Sequence, residues 1–323
     1  MKASPARAPR LLRLAAAAAL LLGSAPAAAQ DLNLLYPVPT IERWLAAEPF
    51  RIVDWRGSRR PDDRTQRATL VFEDSVVIAA KWGTAPRNGG AFNNEPRYEV
   101  AAYVIQRLFL DEDEYVVPPT VLRAVPLAFL QEQVPDAAPT FSAAPRSALV
   151  ALQYWLTGVT PEGFWSAERA RNDSVYARYI GNFNILTYVI RHSDANVGNY
   201  LISTSAERPR VFAVDNGIAF ASTESNRGTE WRELNVRRLP RATIERLRQV
   251  TRKQLEETLG VLAEFDIRDG ELVAVPPGEN IRPNQGVRRR DGKVQIGLTG
   301  SEIGALEARI LELLRLAHGR ELF

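Results

Sequence analysis

The sequence predicts an α+β fold in two lobes: a small β-rich N-lobe and a larger, mostly helical C-lobe that carries an added C-terminal hairpin and helix. Three observations predict it. Strand-like runs at Phe50 to Trp55, Ala68 to Phe72 and Val76 to Ala80 follow one another early in the chain. Between about Val175 and Ile190, the residues Tyr179, Ile180, Phe183, Leu186, Thr187 and Ile190 fall on one helical face. The same period returns at Ile303, Leu306, Ile310, Leu313 and Leu314 near the C-terminus.

The first 29 residues predict a secretory signal peptide. Lys2, Arg7, Arg10 and Arg13 form a basic start, Leu14 to Leu22 is a short apolar run, and Ala27-Ala28-Ala29 offers the small-residue cleavage site. Their removal takes away four basic and no acidic residues, so the formal charge of +3 becomes −1, and about 294 residues remain. A near-neutral chain with interspersed charges gives no support for a nucleic-acid partner. No second apolar run is long enough to cross a membrane, so after signal removal no transmembrane segment is expected. The expected location is periplasmic or secreted. With no Cys in the sequence, disulfides, thiolate metal sites and Cys nucleophiles are excluded.

Taken in order, residues 30–156 are expected to form the N-lobe with a leader helix, and 157–323 the C-lobe. Pro37 and Pro39 punctuate the leader, Thr40 is a candidate cap, and Ile41, Trp44 and Leu45 have helical spacing. Arg56 to Arg64 is a polar, turn-rich loop between the first two strand runs. Lys81 directly follows the apolar run Val76 to Ala80, so its ammonium needs a partner. Tyr98 to Phe109 reads as a helix with Glu99 in its first turn, while Pro96 puts Glu95 ahead of it. Gly83 to Asn94 is a Gly- and Asn-rich loop, Asp111 to Glu114 a solvated charge run, and residues 131–147 a Pro- and Ala-rich surface excursion. Pro118 and Pro119 confine the next extended stretch to an edge or bend. Ala148 to Gly158 is a buried strand leading into a loop. Ile218 to Trp231 reads as a loop anchored by Trp231, and Arg241 to Phe265 as one helix. Arg288-Arg289-Arg290 is expected at an exposed hairpin tip closed by Arg290-Asp291-Gly292-Lys293. Thr299 with Glu302 makes a capping box for the last helix.

The chemistry concentrates in Arg191 to Ser203, closed by Val211 to Gly217. Asp194 is followed five residues later by Asn199, then by a short strand, a polar turn and a second strand ending in Asp215-Asn216-Gly217. Phosphoryl transfer asks for that order of parts: a carboxylate to accept a hydroxyl proton, then oxygen ligands for metal ions bridging the phosphates. Asp194 is the candidate base, Asn199 and Asp215 are the candidate metal ligands, and Gly217 is expected to permit the turn beyond. Lys81 and Glu99 are the candidate pair that positions the nucleotide phosphates. His192 is one of two histidines and is expected to support the loop by hydrogen bonding. A Ser-His-Asp hydrolase would have to use it, yet no G-x-S-x-G elbow exists, and a metallohydrolase built on His192, Asp194 and Asp215 lacks the usual histidines.

The order Lys81, Tyr98-Glu99-Val100-Ala101-Ala102-Tyr103, Val117-Pro118-Pro119-Thr120-Val121, Gln153-Tyr154-Trp155, Asp194 to Asn199 and Asp215 resembles the atypical kinases. Nearest in look are bacterial relatives of phosphatidylinositol 3- and 4-kinases and of the secretory-pathway kinases. The resemblance covers most of residues 68–220. It implies a bilobal protein-kinase-like fold, ATP with Mg²⁺ or Mn²⁺ as cofactors, and transfer of the γ-phosphoryl group to an unidentified hydroxyl-bearing acceptor. It further implies that Lys81 binds phosphate, Glu99 holds Lys81, Asp194 is catalytic, Asn199 and Asp215 bind metal, and backbone groups near Gln153, Tyr154 and Trp155 face the adenine. The sequence departs from the pattern in three places: no glycine-rich loop signature is present, the Asp-Phe-Gly position reads Asp-Asn-Gly, and Arg191-His192 are separated from the Asp by Ser193. The alternative from another class is a catalytically inactive kinase-like binding module (pseudokinase) of the cell envelope.

Overall fold

Pro37 stands at the N-cap of the first helix, α1 (Val38–Ala46), and Pro39 lies in the first turn, where its missing N–H costs no intrahelical bond. The helix thus begins ahead of Thr40, the cap expected from sequence, and buries Val38, Ile41 and Leu45. The structure, a computed structural model, describes residues 31–57, 65–90, 95–220 and 230–323. The expected signal peptide lies outside the described residues, and so do most of the Arg56 to Arg64 loop and residues 91–94 and 221–229.

Three antiparallel strands follow: β1 (Phe50–Arg56), β2 (Thr65–Phe72) and β3 (Val77–Thr84). Alternation decides which face each residue takes: Ala68, Leu70 and Phe72 of β2 and Ile78, Ala80 and Trp82 of β3 go into the core. β3 runs on past Ala80, so Lys81 lies inside the strand, on the face opposite Ala80 and Trp82.

Pro96 opens the next helix, α2 (Pro96–Ile105), two residues before the expected start; it ends at Ile105 in a 3₁₀ turn over Gln106–Leu108. Tyr98, Glu99, Val100, Ala101, Ala102, Tyr103 and Ile105 are all buried, so α2 is enclosed on every side. β4 (Thr120–Pro126), the short α3 (Leu127–Gln131) and β5 (Ser147–Tyr154) complete a five-stranded sheet in the order β1-β2-β3-β5-β4. The proline-flanked β4 takes the edge, and the wholly buried β5 sits between β3 and β4. The stretch 131–147 is not purely superficial: Phe141 and Ala144 are fully buried and pack with Val100, Leu122, Phe265, Val294 and Ile296 in a second apolar cluster.

β6 (Val159–Thr160) and α4 (Ala167–Asn172) lead to α5 (Ser174–Ile190), the main core helix. Asp173 caps α5, its Oδ1 accepting from the Val175 and Tyr176 amides at 3.0 Å each. Arg191 closes the helix in the left-handed conformation, φ 50°. Gly181 sits mid-helix because a Cβ there would meet Pro240 Cδ at 2.7 Å. Gly→Ala inside a helix ordinarily stabilises by about 1 kcal/mol. Gly181→Ala is expected to reverse that sign and destabilise by about 1–3 kcal/mol through overpacking. Urea denaturation checks it; a stabilised variant would disprove the close approach.

β7 (Tyr200–Ser203) and β8 (Val211–Ala213) form a hairpin, with β6 on the far side of β7. β9 (Arg238–Leu239) precedes the stretch expected as one helix over 241–265. That stretch instead divides into α6 (Arg241–Leu247), α7 (Arg252–Leu259) and the start of β10 (Ala263–Arg268). The reason is local: Thr251 forms a capping box with Gln254 and starts a new helix. β10 pairs with β11 (Glu271–Val275) and with β13 (Lys293–Ile296), and β13 pairs with β12 (Val287–Arg290). The Arg288 guanidinium is not at an exposed tip. It is fully buried and donates to the carbonyls of Arg282, Gly260 and Leu298 at 2.9, 2.5 and 2.7 Å, a structural role; Arg289 and Arg290 are exposed. α8 (Gly300–Ala317) starts at the Thr299/Glu302 capping box and buries Ile303, Leu306, Ile310 and Leu313, and β14 (Glu321–Leu322) pairs in parallel with β9. Residues 31–323 make one compact unit. Among the described residues no helix is long and apolar enough to cross a membrane.

Candidate active site

Lys81 projects from β3 into a polar corner where two carboxylates meet it. Its Nζ donates to Glu99 Oε1 at 2.7 Å and to Asp215 Oδ1 at 2.9 Å. The Lys81 and Glu99 side chains are 17% and 9% exposed, whereas that of Asp215 is 40% exposed and opens toward solvent. Burial alone would push the lysine pKa down, but the Asp215 and Glu99 carboxylates outweigh it and hold the ammonium above its ordinary value. Lys81 in turn holds the Asp215 carboxyl below the usual range. Burial pushes Glu99 up, with Lys81 pulling the other way.

The β7–β8 hairpin delivers Asp215 to this corner. Val214 N–H donates to the Asn199 carbonyl at 2.8 Å, continuing the Tyr200–Ala213 pairing and setting Asp215 next to Asn199 at the hairpin's open end. The turn beyond is made by Asp215 itself, at φ 61°. Gly217, expected to supply that freedom, is not among the residues of positive φ. Asp tolerates the left-handed region better than most side chains, so the carboxylate is aimed at Lys81 at modest cost. Asn216 N–H donates to Glu99 Oε2 at 3.0 Å, and Glu95 N–H donates to the Gly217 carbonyl at 3.0 Å. The segment 215–217 is thereby tied to the first turn of α2.

Asp194 follows the C-terminus of α5 and is buried. Its Oδ1 accepts from Asn196 Nδ2 and its Oδ2 from Asn199 Nδ2, both at 2.9 Å. The same two amides also donate to the Asp194 carbonyl, each at 2.9 Å. With its Nδ2 so engaged, Asn199 has its Oδ1 without a hydrogen-bond partner among the described residues. His192 is fully buried, and its Nδ1 accepts from the Asp194 N–H at 3.3 Å. Burial brings its pKa down to about 4, against the pull of the Asp215 carboxylate, so the ring is neutral and holds the loop as an acceptor. Ser193 N–H donates to the Ile218 carbonyl at 2.9 Å and locks this loop to the segment after Gly217.

Lys81, Glu99 and Asp215 are in direct contact, Asp194 and Asn199 are in direct contact, and the Asn199–Val214 bond joins the two sets. The end of β5 is placed beside them, with Gln153 opposite Lys81 in register. Its amides are not free to face a base, however. Tyr154 N–H donates to Pro119 O at 2.8 Å and Trp155 N–H to Ala79 O at 2.9 Å, and the buried Gln153 side chain donates to Thr120 Oγ1 at 2.9 Å. At this end of β5 the next amide, that of Leu156, has no hydrogen-bond acceptor among the described residues. Trp155 is 41% exposed, with the Arg67 guanidinium over its ring at 5.0 Å.

The sequence marks Glu302 only as a helix cap and gives Arg97 no role. Arg97 and Glu302 form a buried bidentate pair at 2.6 and 2.8 Å that braces the turn of α2 carrying Glu99. The available signal was a second charged residue, Arg97, two positions before Glu99 at the start of an otherwise apolar helix.

No protein-family model matches the sequence, and no curated protein matches it. Solved structures do. The structure of hydra Fam20 with sugar aligns at 13% identity and a TM-score of 0.50, covering 89% of this chain and 91% of that one. The Golgi casein kinase aligns at 14% identity and 0.49, covering 86% and 74%, and the same kinase with Mn/ADP bound at 13% and 0.49, covering 87% and 75%. At such identities the likeness to Fam20 shows the fold: an α+β, kinase-like architecture over most of the chain.

Proposed function

We propose that the protein is an exported, ATP- and metal-dependent phosphotransferase that moves a γ-phosphoryl group to a hydroxyl acceptor. The observation that carries the reading is the contact of Lys81 with both Glu99 and Asp215. A structural ion pair needs one carboxylate. A lysine shared between a helix glutamate and a half-exposed aspartate at a hairpin end is what nucleotide phosphates and their cation require. Glu99 orients the ammonium, which faces the α- and β-phosphates.

Asn199 Oδ1 and the Asp215 carboxylate are hard oxygen donors, the kind Mg²⁺ and Mn²⁺ take, and they would hold the cation. The residues fit the cation; when bound, it supplies charge neutralisation on the phosphate oxygens. Asp194 accepts the proton of the acceptor hydroxyl as its oxygen bonds to the γ-phosphorus and the bond to the β-phosphate oxygen breaks, releasing the nucleoside diphosphate. Trp155 and the free Leu156 amide are the groups we assign to the base.

The second reading, an inactive kinase-like binding module of the cell envelope, draws on one observation: both Asp194 carboxylate oxygens already accept side-chain amides. ATP is also scarce outside a bacterial cytoplasm. Thermal unfolding separates the possibilities. Nucleotide with Mn²⁺ at about 100 times its Kd stabilises by about 2.7 kcal/mol, a shift on the order of 5 °C. Lys81→Met is expected to lose that shift. No shift with any nucleotide and metal would defeat both the kinase reading and nucleotide binding by an inactive module; a shift without turnover selects the inactive module. Export is tested by N-terminal sequencing of the protein recovered outside the cytoplasm, expected to begin at Gln30.

A further inference from the structure

Glu99 can hold Lys81 only if α2 keeps its rotation and height, and α2 touches the sheet mainly through apolar residues that would tolerate sliding. A polar brace opposes that movement. Arg97 Nη1 and Nη2 donate to the two carboxylate oxygens of Glu302 on α8 at 2.6 and 2.8 Å, and Nε donates to Glu95 Oε1 at 2.8 Å. Nη1 also reaches the Gly297 carbonyl at 3.3 Å, just beyond β13, and the Tyr98 hydroxyl hydrogen-bonds Glu302 Oε1. The space is built for the guanidinium: a Cβ on Gly286 would meet Arg97 Nε at 2.5 Å. The Arg97 and Glu302 side chains are 11% and 7% exposed, so the pair is desolvated and its directional bonds set geometry.

Arg97 and Glu99 are two residues apart, about 200° around the helix. One faces the C-terminal elements and the other faces Lys81. The same turn is joined to the metal-ligand segment through Glu95 N–H to Gly217 O and Asn216 N–H to Glu99 Oε2, both 3.0 Å. A rotation of α2 that loosens the Arg97–Glu302 pair therefore withdraws Glu99 from Lys81 and from Asn216 together.

We propose that Arg97 and Glu302 are positioning residues, through which the C-terminal helix sets α2 and so holds Lys81, Glu99 and the Asp215–Gly217 segment in register. This rests on the phosphotransferase reading for its effect on turnover, but not for its effect on geometry.

Glu302→Gln tests it, because Gln still serves the capping box of α8 while losing the charge that binds Arg97. Two readouts are taken on the full mature chain: amide exchange at Glu95 and Asn216 by NMR, and kcat and KM separately. The expected result is at least tenfold faster exchange at both amides, and a kcat at least tenfold lower with acceptor KM changed less than twofold. Glu312→Gln, in an exposed pair with Arg315 further along α8, is the control and should change neither. Should Glu302→Gln not fold, Tyr98→Phe removes one bond to Glu302 and should give the same pattern at about threefold. Exchange at Asn216 no faster than in the control overturns the proposal. Faster exchange in a protein whose wild type shows no turnover upholds the coupling and defeats the phosphotransferase reading instead.

Discussion

Asp194→Ala is expected to lower kcat for phosphotransfer by about 10²–10⁴-fold, the usual worth of a positioned general base, while leaving nucleotide and Mn²⁺ binding nearly intact. The separation follows from the loop's own hydrogen bonds. Asn196 and Asn199 each donate to the Asp194 main-chain carbonyl as well as to its carboxylate. Removing the carboxylate leaves both amides an acceptor, and Asn199 keeps its place beside Asp215 through the Val214 amide. Single-turnover kinetics together with the thermal shift described above make the measurement. Turnover unchanged in Asp194→Ala would remove Asp194 from the reaction, and a lost thermal shift would mean that the loop had collapsed.

Trp231→Ala should cost about 3–5 kcal/mol of stability, the range for deleting a large buried aromatic. Trp231 is 2% exposed and sits among Phe164, Trp165, Phe183 and Tyr200, with ring centroids at 5.4, 5.3, 5.4 and 6.5 Å. These rings come from separate segments: the loop ahead of α4, the middle of α5, and the start of β7. The space left cannot close without moving α5 against the hairpin, and so the cavity persists. Since Tyr200 follows Asn199 directly, looser packing there should also weaken the response to Mn²⁺. Urea denaturation would show a loss below about 1 kcal/mol if the cluster relaxes into the gap, contrary to this account.

The site was more legible in the sequence than the framework that supports it. Lys81 and Glu99 could be paired because each carried a local mark: a lysine after an apolar run, and a glutamate in the first turn of a helix. Asp194, Asn199 and Asp215 could be grouped because a short hairpin lies between them and fixes their separation. The sequence carries no sign that the amides of Tyr154 and Trp155 are paired, because a strand's pattern does not say whether its last N–H groups find partners. Arg288 looked like an exposed tip for a similar reason: three arginines before a turn read as solvated, and only the fold shows three carbonyls around the first of them. The helix expected over 241–265 failed at Thr251, whose capping box with Gln254 was a local signal available in the sequence but outweighed by the run of helix-favouring residues around it. Arg97 was invisible as a functional residue because its partner, Glu302, stands 205 positions away.

That separation bears on how the protein comes into being. A chain emerging N-terminus first from a ribosome presents Lys81 and Glu99 early, and they are only 18 positions apart. Asp215 joins them from 134 positions beyond Lys81, and the brace on α2 waits for the final helix. Long loops of this kind close late in folding. Nearly the whole chain must therefore leave the ribosome before α2 is fixed. A truncated chain would hold the lysine and its glutamate in a helix that lacks the Arg97–Glu302 pair.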